Sequence, residues 1–289
     1  MDIEILEGKI EEYLPKRKPD GNKSSFGKLL VVAGSKYMSG APYLSAYAAL
    51  RSGAGLVKVY THREALPVIR INLPEALLCK DDKNSLLQAI EWCNAIVLGP
   101  GLGMNNRAKE ICITVLKNAS VPLIIDADAI NLLGADKDVR TEYFSYLKRN
   151  KGIVPVLTPH PKEAGGLLEL STSSLLENFE ENIIRLAKEY NAVVIGKNAK
   201  SIIASFDSEL AYKNIKGNDG MATAGSGDVL AGITGGLLVQ NMSSIDAAKT
   251  ACYLHALAGD WAAQRRNRYS LIARDIIEGI GEVINTDGN

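Results

Sequence analysis

GKLLVVAGSKYMSGAPYLSAYAALRSGAGLVKVYT, residues 27–61, decides the fold. It opens on an apolar run, KLLVVAG (28–34), passes through a helical pattern at 41–52, and closes on a second run, GLVKVYT (55–61). Val and Leu are nearly continuous in the first run instead of alternating with polar residues, which suits a strand buried on both faces. Strand, helix, strand in that order is the repeating unit of a parallel sheet with helices on its two faces.

The alternation continues outward. NAIVLGPG (94–101), VPLIIDAD (121–128), VPVLTPH (154–160), AVVIGK (192–197) and SIIAS (201–205) read as strands. Helical patterns fall at 84–92, 106–118, 174–190, 226–240 and 245–264. The last two strands are split only by NAK, which predicts a hairpin and some antiparallel pairing late in a mainly parallel sheet. No internal repeat, low-complexity tract or Pro/Ser-rich linker interrupts the pattern, so residues 1–289 are expected to form a single α/β domain.

Composition narrows the function. The chain is 46% apolar and 23% charged with a formal net charge of zero, which argues against nucleic acid or an anionic membrane as the main partner. The basic cluster KRK at 16–18 reads as a solvated edge, and the tail NTDGN (285–289) as frayed. Cys79, Cys93, Cys112 and Cys252 show no C-x-x-C pairing, and no secretory signal precedes them. No window approaches the ~18–20 apolar residues of a membrane span. A cytoplasmic protein with reduced thiols is expected. His62, His160 and His255 stand apart from any cysteine pair, which argues against zinc.

Polar and turn-forming residues gather where the strands end, in AGSKYMSGA, LGPGLG, DADAINLL, TPHPKE and GKNAK. Open parallel sheets bind ligands beyond the carboxyl ends of their strands. The densest such stretch is GNDGMATAGSGDVLAG (217–232), which runs into a helix with Gly225 or Ser226 near its N-cap. The first turn of a helix presents unpaired N–H groups and a positive dipole end to anions. Neither a P-loop nor a dinucleotide fingerprint has this spacing. Asp228 in that turn either complements the helix dipole or accepts a proton from a hydroxyl attacking a phosphoryl group.

GSGD opening a late helix resembles the ribokinase-like superfamily. With GSKYMSGA, GPGLG, LIIDADAINLL, LTPHPKE and GNDGMATAGSGDVLAG in order across roughly residues 25–265, the chain resembles more specifically the ADP/ATP-dependent NAD(P)H-hydrate dehydratase family. The resemblance implies a ribokinase-like three-layer α/β/α sandwich with a mainly parallel central sheet. It implies a repair reaction in which the S-epimers of NADHX and NADPHX are phosphorylated at the C6 hydroxyl by ADP or ATP, with Mg2+, and lose phosphate to return NADH and NADPH. ADP is the preferred donor, and a homotetramer the expected assembly. The first motif lies close to the N-terminus, so no epimerase domain is expected ahead of it.

By the same resemblance Asp228 is the base and contacts substrate, while Ala41, Gly103 and His160 line the substrate site. Lys197, Asn198, Ala199, Lys200 and Ser201 bind the adenylate, and Gly225, Ser226 and Gly227 bind its phosphates. Small residues at 41 and 103 let a ring and the main chain approach each other, and flanking prolines hold His160 out as a contact. The sequence departs from the family pattern in three places: Asn198 replaces a glycine after the lysine, Asp219 replaces the proline of GNPGMAT, and EAGGLL follows the histidine motif. Asp126 and Asp128 would share one side of a continuing strand, either as magnesium ligands or, for Asp128, as a helix cap. The rival readings are a ribokinase-like kinase for a vitamin-precursor alcohol and a nucleotide-binding protein without turnover.

Overall fold

The computed structural model describes residues 2–17 and 19–284; Lys18 of the basic cluster and the tail 285–289 lie outside them. The opening stretch folds as β2 (Lys28–Val32), α1 (Gly40–Arg51) and β3 (Leu56–Tyr60), with β2 and β3 parallel and Lys28 opposite Leu56. There follow α2 (Leu66–Asn72), β4 (Leu77–Leu78), α3 (Lys83–Trp92), β5 (Ala95–Leu98) and α4 (Asn106–Asn118). Next come β6 (Leu123–Ile125), α5 (Asp128–Ala135), α6 (Lys137–Arg149), β7 (Val156–Leu157), α7 (Pro161–Leu168), α8 (Thr172–Glu177) and α9 (Phe179–Tyr190). The chain ends with β8 (Val193–Gly196), β9 (Ile202–Ser205), β10 (Leu210–Lys213), α10 (Ser226–Leu238), α11 (Ser244–Arg266) and α12 (Ala273–Ile284).

One sheet has the order β1-β10-β9-β8-β7-β6-β5-β2-β3-β4, where β1 is Asp2–Ile5. Strands β8 to β2 and on to β4 are parallel; the expected hairpin is β8–β9, with Gly196 opposite Ile202, and β9–β10 is antiparallel too. Alternate residues of each strand feed two separate cores. Leu29, Val31, Val97 and Ile195 pack with α1, α10, α11 and α12, while Leu30, Val32, Leu98 and Val194 pack with the helices from α3 to α9. This is the three-layer arrangement expected from the sequence, and it follows from the two-residue period of a strand buried on both sides.

Two details differ. The segment 174–190 is two helices broken at Asn178, whose φ of −128° and ψ of 53° are non-helical. β1, β4 and β10 carry no strong strand signal. β1 is nevertheless well moored: it runs parallel to β10 with Asp2 opposite Leu210, and Leu6 N donates to Lys213 O at 2.9 Å. Tyr253 Oη on α11 donates to Gly8 O at 2.8 Å, and Leu6 and Ile10 are buried.

The numbering reverses direction between β5 and β2, so a crevice opens above their carboxyl ends, the usual ligand position in such sheets. There Gly34 N donates to Pro100 O at 2.7 Å, tying together the loops that carry GSKYMSGA and GPGLG.

Candidate functional site

Three adjacent strand tips build the centre of the site. Asp126 follows β6, Thr158 follows β7 and Lys197 follows β8, so parallel pairing sets them side by side. Asp126 Oδ1 accepts from Thr158 Oγ1 at 2.6 Å and from Lys197 Nζ at 2.8 Å. Lys197 Nζ also lies 3.9 Å from Glu163 Oε2, and its side chain is 20% exposed against 1% for Asp126. Burial works against the Lys197 charge, but Asp126, Glu163 and Asp228 outweigh it and hold the ammonium above its ordinary range. The lysine read as an adenylate contact is thus also the counter-ion of three acids.

Asp228 stands in the first turn of α10. Gly225 precedes the helix at φ 89°, a left-handed conformation in which a side chain would also strike Leu44. No side chain caps α10 among the described residues, so the N–H groups of Gly227 and Asp228 are left for a ligand. A Cβ at Gly227 would come within 3.4 Å of Lys197 Nζ, so glycine there keeps the ammonium and the helix end close. Burial, and then the Asp126 carboxylate, push the Asp228 carboxyl from 3.8 up to about 7; Lys197 opposes them and Asp128 adds to them. A carboxyl poised there can take up and release a proton near neutral pH.

These groups line a cavity of ≈ 810 Å³. Asp126, His160, Glu163, Lys197, Ser226, Gly227 and Asp228 are on its wall, together with Asn198, Ala199, Ser201, Lys216, Met221, Cys252 and Ala256. Ala199, Met221, Cys252 and Ala256 bring apolar surface to the wall and Lys216 a cation, groups suited to a flat base and a phosphate. Of the residues read from the sequence, Lys200 is exposed and off the cavity wall, and Gly225 shapes the loop from behind. Ala41 and Gly103 lie instead at the β5–β2 crevice: a Cβ on Gly101 would meet Ala41, and Gly103 N donates to Asp128 Oδ2 at 2.7 Å.

Asp126 and Asp128 do not continue as a strand. Ala127 between them adopts φ 49° and ψ −117°, and α5 starts at Asp128, so the alternation that would set both carboxylates on one side is broken. Such a conformation costs on the order of 1–3 kcal/mol and is concentrated at functional sites. Among the described residues, no three His, Cys, Asp or Glu converge as a metal cage.

His160 is more than an exposed contact. It is the N-cap of α7: Nδ1 accepts from Lys162 N (3.1 Å) and Glu163 N (3.3 Å), and Glu163 Oε2 accepts from His160 N at 2.9 Å. Nε2 lies 3.1 Å from Glu163 Oε1, and the imidazole stays 45% exposed toward the cavity. Burial would raise the Glu163 carboxyl, but the His160 hydrogen bonds and Lys197 outweigh it and leave it low. His160→Ala is expected to cost about 1 kcal/mol in urea unfolding, the usual worth of a cap, and His160→Asn to recover most of it. Unchanged stability in the alanine variant would remove the capping role.

Sequence reasoning missed Glu163, Lys216, Met221, His255 and Cys252. Only Glu163 had a usable signal, the H-x-x-E spacing at the start of a helix.

Known proteins resemble the chain over most of its length. Residues 29–281 match the family described as NAD(P)H-hydrate dehydratase. A bifunctional NAD(P)H-hydrate repair enzyme of Coxiella burnetii is 36% identical over 98% of this chain and 56% of its own length; the chain spans about half the length of the first curated relatives it matches. An ADP-dependent (S)-NAD(P)H-hydrate dehydratase of Neisseria meningitidis is 38% identical over 84% of this chain and 80% of its own. The crystal structure of the ADP/ATP-dependent NAD(P)H-hydrate dehydratase of Bacillus subtilis, co-crystallized with ATP/Mg2+, aligns with a TM-score of 0.84 at 27% identity, covering 96% of this chain and 95% of that one. The fold is ribokinase-like, and with the family match over nearly the whole sheet, the chain belongs to the NAD(P)H-hydrate dehydratase family.

Proposed function

We propose that the chain, as one catalytic unit, dehydrates the S-epimers of NADHX and NADPHX with ADP or ATP as phosphoryl donor. The observation that carries this reading is Asp228, a carboxyl held at about 7 beside two unclaimed helix N–H groups on a cavity wall. Asp228 takes the proton of the C6 hydroxyl as that oxygen attacks the terminal phosphoryl group, and the bond to the departing AMP or ADP breaks. The N–H groups of Gly227 and Asp228 stabilise charge on the transferring phosphate. The C6–O bond then breaks, pushed by the ring nitrogen lone pair, and loss of a C5 proton restores the dihydropyridine and releases inorganic phosphate.

The adenylate occupies the part of the cavity lined by Asn198, Ala199, Ser201 and Met221, and the nicotinamide ring reaches past Asp228 toward Gly103 and Ala41. His160 meets the substrate from the N-cap of α7. Magnesium would neutralise phosphate charge; with no three-ligand cage among the described residues, it fits as an ion carried on phosphates and water, with the Asp126 and Asp228 carboxylates facing its shell. The cytoplasm suits four cysteines that are buried as free thiols. No described helix is long and apolar enough to cross a membrane. A homotetramer belongs to the proposal, but α1 packs on α10 in the core, so its interface is better sought around exposed apolar residues such as Ile71 and Leu77.

Incubating the chain with NADHX, ADP and magnesium is expected to restore the near-ultraviolet absorbance of NADH, with one phosphate released per NADH formed. A stable phosphomonoester with no NADH would instead identify a kinase, and no reaction with either nucleotide would remove the enzyme reading.

A further inference from the structure

His255 takes no part in the chemistry above, yet it lines the cavity behind the first residue of α10. Its Nε2 lies 3.3 Å from Ser226 Oγ. Ser226 N already donates to Thr223 O at 3.3 Å, so its hydroxyl is what Ser226 retains for a ligand. A hydroxyl has one proton and two acceptor sites. An imidazole nitrogen that took this proton would leave only lone pairs facing the cavity, and these repel a phosphate. One that gave its own proton would free the hydroxyl proton for the phosphate.

We propose that His255 is a positioning residue for the nucleotide: its Nε2–H donates to Ser226 Oγ, so that the Ser226 hydroxyl donates to a phosphate oxygen beside the N–H groups of Gly227 and Asp228. The proposal rests on the dehydratase reading only for where the phosphates lie. It agrees with the state of the ring. Burial pushes the His255 imidazole down to about 4, with the Ser226 main chain opposing and Lys197 reinforcing, so the ring is neutral near pH 7 and has one N–H to give. Its place on α11, between buried Cys252 and Ala256, offers no carboxylate that would claim this proton among the hydrogen bonds of the described residues.

Calorimetric titration with ADP and magnesium tests this without turnover. His255→Leu is expected to weaken ADP binding about tenfold, the worth of one hydrogen bond to a charged acceptor. His255→Gln, whose amide places an N–H at similar reach, is expected to stay within about threefold of wild type. Ser226→Ala should lose as much as His255→Leu, and the double variant no more than either. Nitrogen NMR of the wild-type protein should show the proton on Nε2, a readout that does not depend on any variant folding. A proton on Nδ1, wild-type ADP affinity in His255→Leu, or losses that multiply in the double variant would overturn the proposal. Failure to process NADHX with these couplings intact would count against the dehydratase reading alone.

Discussion

Asp228→Asn is expected to lower kcat for NADHX dehydration by ~10²–10⁴-fold, the range supplied by a positioned general base. ADP should still bind within about threefold of wild type, because the helix N–H donors are main-chain groups. The wild-type rate should climb with pH through a step near the Asp228 value of about 7, and the residual asparagine rate should lack that step. Stability gives an independent check. The folded carboxyl keeps its proton up to about 7, whereas the unfolded one releases it near its ordinary 3.8. Between those values the native state binds more protons, so this group's contribution is full below the lower value and is lost as pH rises to the upper one. Removing the charge should therefore stabilise the fold by about 2 kcal/mol at pH 8, after allowance for solvent in the cavity, and by less at pH 5. Equal gains at both pH values in urea unfolding would refute the account of a carboxylate strained by burial.

Lys197→Met is expected to cost about 3 kcal/mol in folding free energy, because it leaves the buried carboxylates of Asp126 and Glu163 without their shared cation. It should also raise the Asp228 value further, since Lys197 is what opposes the rise. The acid limb of the rate profile is then displaced to higher pH, a change that loss of adenylate contact alone would not produce. Adding Asp126→Asn should recover part of the lost stability by removing one uncompensated charge. A profile that keeps its position would mean that Lys197 serves the nucleotide and not the base.

The parts of this architecture that were legible in the sequence share a physical cause. KLLVVAG and AVVIGK are buried on both faces, so their apolar character is continuous, and the hairpin between β8 and β9 is marked by the short NAK turn. DIEI of β1 and LAYK of β10 are half polar and are held by main-chain pairing near an edge, which leaves little hydrophobic signal. Asp228 stood out because a glycine-rich loop opening a helix concentrates ligand contacts, whereas Lys197 was marked only by the family resemblance. His255 was not, because 29 positions separate it from Ser226 and only the packing of α11 on α10 brings them together. The second role of His160 depended on a cap conformation, φ −79° and ψ 169°, that its flanking prolines suggest but do not specify. Of the two readings of Asp128, the one that set it on the same strand side as Asp126 failed because the alternation rule assumes an extended backbone, and Ala127 ends it as α5 begins.

The docking of β1 reaches further than the edge of the sheet. Its partner β10 leads directly into Asn214, Lys216, Gly217 and Asn218, which form one rim of the cavity. Residues 2–5 thus serve as a splint for that rim of the cavity. Trimming them, or pulling on them with a bulky fusion, would slacken the grip on the nucleotide while leaving the proton-accepting carboxyl in its place.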